Sequence, residues 1–208
     1  MKKYITEFIG TFFLVLIVGM NSFAGGANLL AIGSILMVMI YAGGHISGAH
    51  YNPAVTLGVL IRGRISTGDA IGYMVAQIAG AAVAALISAK LMGVEGAGSS
   101  AIADSNITRA LAAEVLGTFA LVYVVLNVAT AKANSGNSYF GLAIGFTVLA
   151  CGYVLGHFSG GAFNPAVAIG QCINGGFAWS DIWVYLVACF GGGALAAIVF
   201  KMNNPDDK

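Results

Sequence analysis

The stretch Gly161–Gly170, GAFNPAVAIG, puts Asn164 and Pro165 inside a strongly apolar part of the chain. Both residues suit the middle of a membrane-spanning helix poorly. Pro lacks the N–H that the helical ladder needs, and its ring clashes with the preceding turn. The same Asn-Pro-Ala triplet occurs earlier, in GAHYNPAVTLG at Gly48–Gly58. Two identical breaks, at Asn52 and Asn164, ask for one shared cause.

Composition sets the frame. Of 208 residues, 59% are hydrophobic and only 8% charged, against roughly 25% charged in soluble domains. So few charges cannot cover a globular surface, which makes this a membrane protein. A net charge of +1 argues against nucleic acid as a partner. The 30 glycines recur inside apolar runs, where small residues let transmembrane helices approach closely. Pairs such as Gly141/Gly145 and Gly152/Gly156, and the run Gly191–Gly193, fit that use. Cys151, Cys172 and Cys189 have no metal-binding or redox spacing and read as small buried hydrophobes.

A spanning helix needs about 20 mostly apolar residues. Six segments meet that length: roughly 5–23, 29–47, 70–89, 110–130, 139–157 and 182–200. The first, within Met1–Ala27, has the basic start and apolar run of a secretory signal, but Glu7 interrupts the run and the segment has a counterpart later in the chain. It reads as a retained span. Two shorter apolar pieces, Pro53–Ile61 and Pro165–Ile173, cover only about half of a 30 Å hydrocarbon core at 1.5 Å rise per residue. With both termini inside, Lys2, Lys3, Arg62, Arg64, Lys132, Lys201 and Lys208 fall on the inner side, and Lys90 and Arg109 on the outer. This obeys the positive-inside tendency. Met202–Lys208 reads as a short polar end that frays.

The chain also repeats itself. TEFIGTFFLV (Thr6–Val15) resembles AEVLGTFALV (Ala113–Val122), and GHISGAHYNPAV (Gly44–Val55) resembles GHFSGGAFNPAV (Gly156–Val167). DAIGYMVAQIAG (Asp69–Gly80) stands opposite DIWVYLVACFGG (Asp181–Gly192). Residues 1–208 read as one domain of two units, about 1–95 and 105–202. Each unit has three full spans and one half-span. Three is odd, so the second unit enters the membrane inverted, and inverted repeats with broken helices place a site near the midplane.

Irregular backbone at membrane depth survives only where it is buried in protein or lines water. Pro suits the first turn of a helix, so Pro53 and Pro165 read as starts of half-helices, with Asn52 and Asn164 as N-caps. The half-helices come from opposite faces, and their N-termini, each carrying roughly half a positive charge, meet near the middle. Two Asn amides stand beside them. A cation there meets a positive field and donors; a neutral solute with lone pairs is accepted.

These motifs resemble those of the aquaporin (major intrinsic protein) family, over essentially the whole chain. The resemblance implies an all-α hourglass fold of six transmembrane helices and two re-entrant half-helices. It implies one pore per subunit, a homotetramer in the cell membrane with cytoplasmic termini, and no enzymatic activity, cofactor or metal. Asn52, Pro53, Ala54, Asn164, Pro165 and Ala166 match the pore motif. Ser47–Tyr51 and Ser159–Phe163 would line the pore with backbone carbonyls, and Glu7 and Glu114 match buried acids that brace the loops.

Most of the family carries Arg after the second triplet; here that position is Val167. Counting from the motifs puts the other filter positions at Ile32, Gly152 and Gly161. Water-selective members have an aromatic and a His where this chain has Ile32 and Gly152. The quartet has neither ring nor charge, which points to a wide apolar constriction passing water and small uncharged solutes: glycerol, urea or neutral metalloid hydroxides. Ala168 replaces the acid usual after the Arg in glycerol facilitators, and nodulin-like members are the nearest in look. Ser47 and Ser159, together with His45, His50 and His157, are further candidates for pore lining. His45 reads as structural or as part of the inner vestibule rather than as a pH gate, and His50 points its ring into the inner vestibule or packs under the loop. Tyr41, Tyr51 and Phe163 read as packing. The alternatives are a water-selective channel, a closed-pore membrane protein, or an ion or gas channel. No H-E-x-x-H, G-x-S-x-G or Cys/His cluster supports a membrane enzyme.

Overall fold

The computed structural model describes residues 1–23, 28–94, 99, 101–103 and 106–207. Ala24–Ala27, Lys208 and the unit boundaries near 95 and 105 lie outside them. Among the described residues six long helices form: α1 (Lys2–Phe23), α2 (Leu29–Ser47), α4 (Thr67–Met92), α5 (Ile107–Val125), α6 (Phe140–Ser159) and α8 (Ile182–Asn203). Each is long and apolar enough to cross a membrane. Two ten-residue helices, α3 (Pro53–Arg62) and α7 (Pro165–Asn174), complete the set. At 1.5 Å per residue each half-helix reaches about 15 Å, half of the hydrocarbon core.

Polar caps fix where two of the long helices start, and one of them runs further than hydropathy suggests. Ser66 accepts a hydrogen bond from the Asp69 N–H and starts α4 three residues early. Asn28 accepts from the Ala31 N–H and starts α2. α5 continues into a π-helical turn, Leu126–Thr130. There Asn127 Nδ2 donates to the Tyr123 carbonyl at 2.8 Å and Thr130 Oγ1 to the Leu126 carbonyl at 2.6 Å, so side chains compete with the regular ladder.

The packing has an internal two-fold logic. α1 packs on α4 as α5 packs on α8, and α3 meets α8 as α7 meets α4. α2 packs on α6. Glycines set these crossings. A Cβ at Gly33 would lie 2.8 Å from the Gly145 carbonyl oxygen, and one at Gly80 2.5 Å from that of Phe8. Gly192 stands equivalently against Val115. Gly193 abuts the Ala54 carbonyl, whereas Gly156 and Gly191 have open space around them. Small residues therefore replace a water-driven core with close backbone contact. Large apolar side chains such as Leu30, Val75, Leu86, Leu116 and Val187 face outward, as lipid requires.

One end of the molecule gathers the cations. Lys3 pairs with Asp69 at 2.6 Å and Tyr4 Oη donates to the same carboxylate at 2.8 Å. Arg62 and Arg64 both reach Asp207, at 2.7 Å and 3.3 Å, and the Lys132 N–H donates to Asp207 at 2.9 Å. The C-terminal segment is therefore not a frayed end. The Asp207 carboxylate accepts from Arg62 Nη2 and supplies the counter-charge that this guanidinium, buried under the Phe200 ring, needs at that depth.

Candidate functional site

The site begins with two strained loops. After α2 and α6 the chain turns on Gly48 (φ 84°) and Gly160 (φ 89°), left-handed caps that suit glycine. It then holds Ala49 (φ 52°), Tyr51 (φ 48°) and Phe163 (φ 47°) in the same region, where a non-glycine residue costs roughly 1–2 kcal/mol. Something must hold them there.

Two buried carboxylates do so. Glu7 Oε2 accepts the Tyr51 N–H at 2.7 Å, and Oε1 accepts the His50 N–H at 3.0 Å and the Ser47 hydroxyl at 2.6 Å. Glu114 repeats the pattern with the Phe163 N–H at 2.7 Å, the Ala162 N–H at 2.9 Å and the Ser159 hydroxyl at 2.6 Å. Neither carboxylate snorkels; both are fully buried. The fourth donor differs between the halves. Gln77 Nε2 donates to Glu7 Oε2 at 2.8 Å and to Thr56 Oγ1 at 3.0 Å, while the Cys189 thiol reaches Glu114 Oε2 at 3.6 Å. Tyr73 donates to the Ser47 carbonyl and Tyr185 to that of Ser159. Residue-level reading had passed over Tyr73 and Gln77, although a Gln inside an apolar span and a Tyr at matched repeat positions were visible signals.

At the loop tips the two halves meet. Asn52 Oδ1 accepts the Ala54 N–H at 2.8 Å and caps α3; Asn164 Oδ1 accepts the Ala166 N–H at 2.9 Å and caps α7. Pro53 and Pro165 take the first helical positions. Each amide also donates across the junction, Asn52 to the Phe163 carbonyl and Asn164 to the Tyr51 carbonyl, both at 2.9 Å. A carboxamide has two N–H donors, so one remains on each Asn for a solute.

Both Asn residues line a cavity of about 260 Å³ with Ile32, Gly152, Gly161 and Val167. His50 and Val125 line both this cavity and a second, of about 440 Å³, that opens toward the cation-rich end beside Arg64 and Asp69. The two spaces adjoin. Among the described residues, no Asp, Glu, Lys or Arg lines the first cavity. His50 Nδ1 lies 3.1 Å from Thr56 Oγ1 and its ring packs on Tyr73, so it both lines the path and supports the loop. His45 and His157 are exposed at the ends of α2 and α6 and line neither cavity. The Ser47 and Ser159 hydroxyls are spent on the glutamates rather than aimed into the first cavity.

Two glycines of the quartet have specific reasons. Gly161 sits at φ 69°, where glycine is favoured. Gly152 does not leave a gap: a Cβ there would lie 2.9 Å from Leu29 Cδ2, and Leu29 itself lines the cavity. Leu29, Asn21 and Gln171 are lining residues that counting from the motifs had not reached.

Comparison with known proteins agrees with this geometry. The profile of the major intrinsic protein family matches residues 1–200. A glycerol uptake facilitator protein-like 6 of Lactiplantibacillus plantarum is 37% identical over the full length of both chains. Aquaporin NIP1-3 of Oryza sativa is 38% identical over all of this chain and 75% of that one. The crystal structure of the aquaglyceroporin from Plasmodium falciparum superimposes with a TM-score of 0.82 at 23% identity, covering 96% of this chain and 94% of that one. Its likeness is one of fold: six long helices with two half-helices meeting at Asn52 and Asn164. The chain belongs to the major intrinsic protein (aquaporin) family, whose members are passive membrane channels for water and small solutes and not enzymes.

Proposed function

We propose that this protein passes water and small uncharged solutes, glycerol and urea foremost and neutral metalloid hydroxides within the same size class. The path runs through the Asn52/Asn164 junction and the constriction of Ile32, Gly152, Gly161 and Val167. The observation that carries this is the lining of that cavity: it has two paired amides at its centre and, among the described residues, no Asp, Glu, Lys or Arg. A positive junction of two half-helix N-termini accepts lone pairs and resists cations. The relative named for glycerol uptake, 37% identical end to end, supports the solute class.

The wider assignments belong to the same reading. The cation-rich end faces the cytoplasm, following the positive-inside tendency, in the cell membrane. The units are about 1–95 and 105–202, and four copies assemble with one pore each. Glu7 and Glu114 brace the loops, and Asn52, Pro53 and Ala54 with Asn164, Pro165 and Ala166 form the pore motif.

A second reading has one observation in its favour. Leu29 occupies the space beside Gly152 and narrows the constriction toward a water-selective pore. Stopped-flow light scattering on vesicles holding the purified protein decides between them. Wild type and Val167→Arg are compared in an impermeant osmolyte, in glycerol and in urea. Fast re-swelling of wild type in both solutes, lost in Val167→Arg, supports the solute channel. Water flux with both solutes excluded overturns it in favour of the water channel.

A further inference from the structure

Val167 is succeeded one turn outward on α7 by Gln171, which lines the cavity with only 4% of its surface exposed. Residues four apart share a helix face, so the amide follows Val167 along the path. Asn21, at the outer end of α1, lines the same cavity, and α1 packs on α7. Asn21 Oδ1 accepts the Asn28 N–H at 2.9 Å, which orients this amide with its NH₂ group as the donor. The chain after α7 folds over Gln171: the Phe177 N–H donates to the Gln171 carbonyl at 2.9 Å, and a Cβ at Gly176 would lie 2.9 Å from Gln171 Oε1. Two uncharged amides thus stand on the α1 and α7 side. The packed pair α2 and α6 supplies Leu29, Ile32 and Val148 to the same cavity, an aliphatic surface.

Resting on the solute-channel reading above, we propose that Gln171 and Asn21 determine solute specificity at the outer constriction, selecting small molecules whose donor and acceptor groups lie close together: vicinal diols and small amides. A solute that fills the constriction sheds most of its water and needs replacement hydrogen bonds from the wall. An amide carries both donor and acceptor groups, and Asn21, its oxygen held by the Asn28 N–H, turns its donor to the path, without a charge that would bind a solute too tightly. Water keeps its neighbours in file and depends less on any one wall group. Removing the amides therefore penalises solutes more than water.

The test uses purified full-length protein in vesicles, with stopped-flow rates for water, urea and glycerol. Wild type is compared with Gln171→Met, which keeps length without the amide, and with Asn21→Leu. The expected result is a fall in urea and glycerol permeability of roughly three- to tenfold, the worth of one net hydrogen bond, with water changed by less than about twofold. Solute-to-water ratios left at the wild-type value in both variants overturn the amide inference while the channel reading stands. A parallel fall of water and solutes overturns it too, because the amides then act on the structure and not on selection. Wild type that passes water but neither solute removes the channel reading itself, and this inference with it.

Discussion

Asn164 Nδ2 donates to the Tyr51 carbonyl at 2.9 Å, across 113 residues of chain. Asn52 returns the same bond to Phe163. Each half-helix therefore caps itself with one oxygen and holds the opposite loop with one N–H. The cap, the crossing bond and the lumen donor all come from a single carboxamide. That is why Asn stands in both triplets, and why no residue lacking either an acceptor or a donor does the same.

This geometry predicts proton exclusion without a filter arginine. The central amides and half-helix dipoles carry the barrier, so vesicles holding wild type should dissipate a pH gradient no faster than protein-free vesicles, read with an entrapped pH-sensitive dye. Asn164→Asp keeps an acceptor for the Ala166 N–H but turns the crossing donor into an acceptor facing the Tyr51 carbonyl. It also sets a negative charge at the junction. Proton or cation leak should rise several-fold. A fast leak in wild type removes the idea.

The braces give a second prediction. Glu114→Gln presents an NH₂ group to donors that need an acceptor, leaving a buried N–H unpaired at a cost of about 1–3 kcal/mol. The thermal midpoint in detergent should fall, with loss of monodisperse protein on size exclusion. The halves should differ at the fourth donor. Gln77→Leu removes bonds to Glu7 and Thr56 and should cost more than Cys189→Ala, which removes one weak thiol contact. Equal costs would mean that the Gln77 bonds contribute little.

The spans and the half-helices were legible because their signals are local. Hydrophobic length gives the six helices, and Asn followed by Pro writes an N-cap and first turn at Asn52 and Asn164 directly into the letters. What the chain did not disclose depends on tertiary register. Nothing near Gly152 says that Leu29, more than a hundred residues earlier, fills the space beside it. Gly161 reads as an open filter position until its positive φ shows a backbone requirement. His45 and His157 stand at matched repeat positions yet face away from both cavities, because one helical residue's rotation decides between pore and surface. Asp207 looks like a loose end until Arg62 and Arg64 are seen beneath it.

Packing against the strained loops supplies a third prediction. A Cβ at Gly117 would overlap the Phe163 ring, as one at Gly10 would overlap the Tyr51 ring. Gly117→Ala should destabilise by roughly 1–3 kcal/mol through overpacking, whereas Gly191→Ala, with open space around it, should stay within about 0.5 kcal/mol. Adding Phe163→Leu to Gly117→Ala should recover part of the loss, a coupling expected of residues in contact. Additive losses in the double variant would place the clash elsewhere.

The C-terminal latch sets the last prediction, and its sign is fixed by Asp207. The Lys132 N–H and then the Arg62 guanidinium hold its carboxyl below the ordinary aspartate value of 3.8. A carboxyl depressed in the folded state stabilises it above the unfolded pKa, and that contribution is lost as pH falls through the lower folded value. The latch is therefore closed at every pH above about 5. Between pH 5 and 8 the permeability of wild type should not change on account of this group. Asp207→Asn should lower the thermal midpoint at pH 7, because the Arg62 side chain is only 2% exposed and loses its counter-charge where water cannot replace it. The same substitution should make progressively less difference as pH falls through the folded value of Asp207 and wild type itself loses the charge. Permeability that changes steeply between pH 5 and 8 and keeps that profile in Asp207→Asn would assign the response to another group.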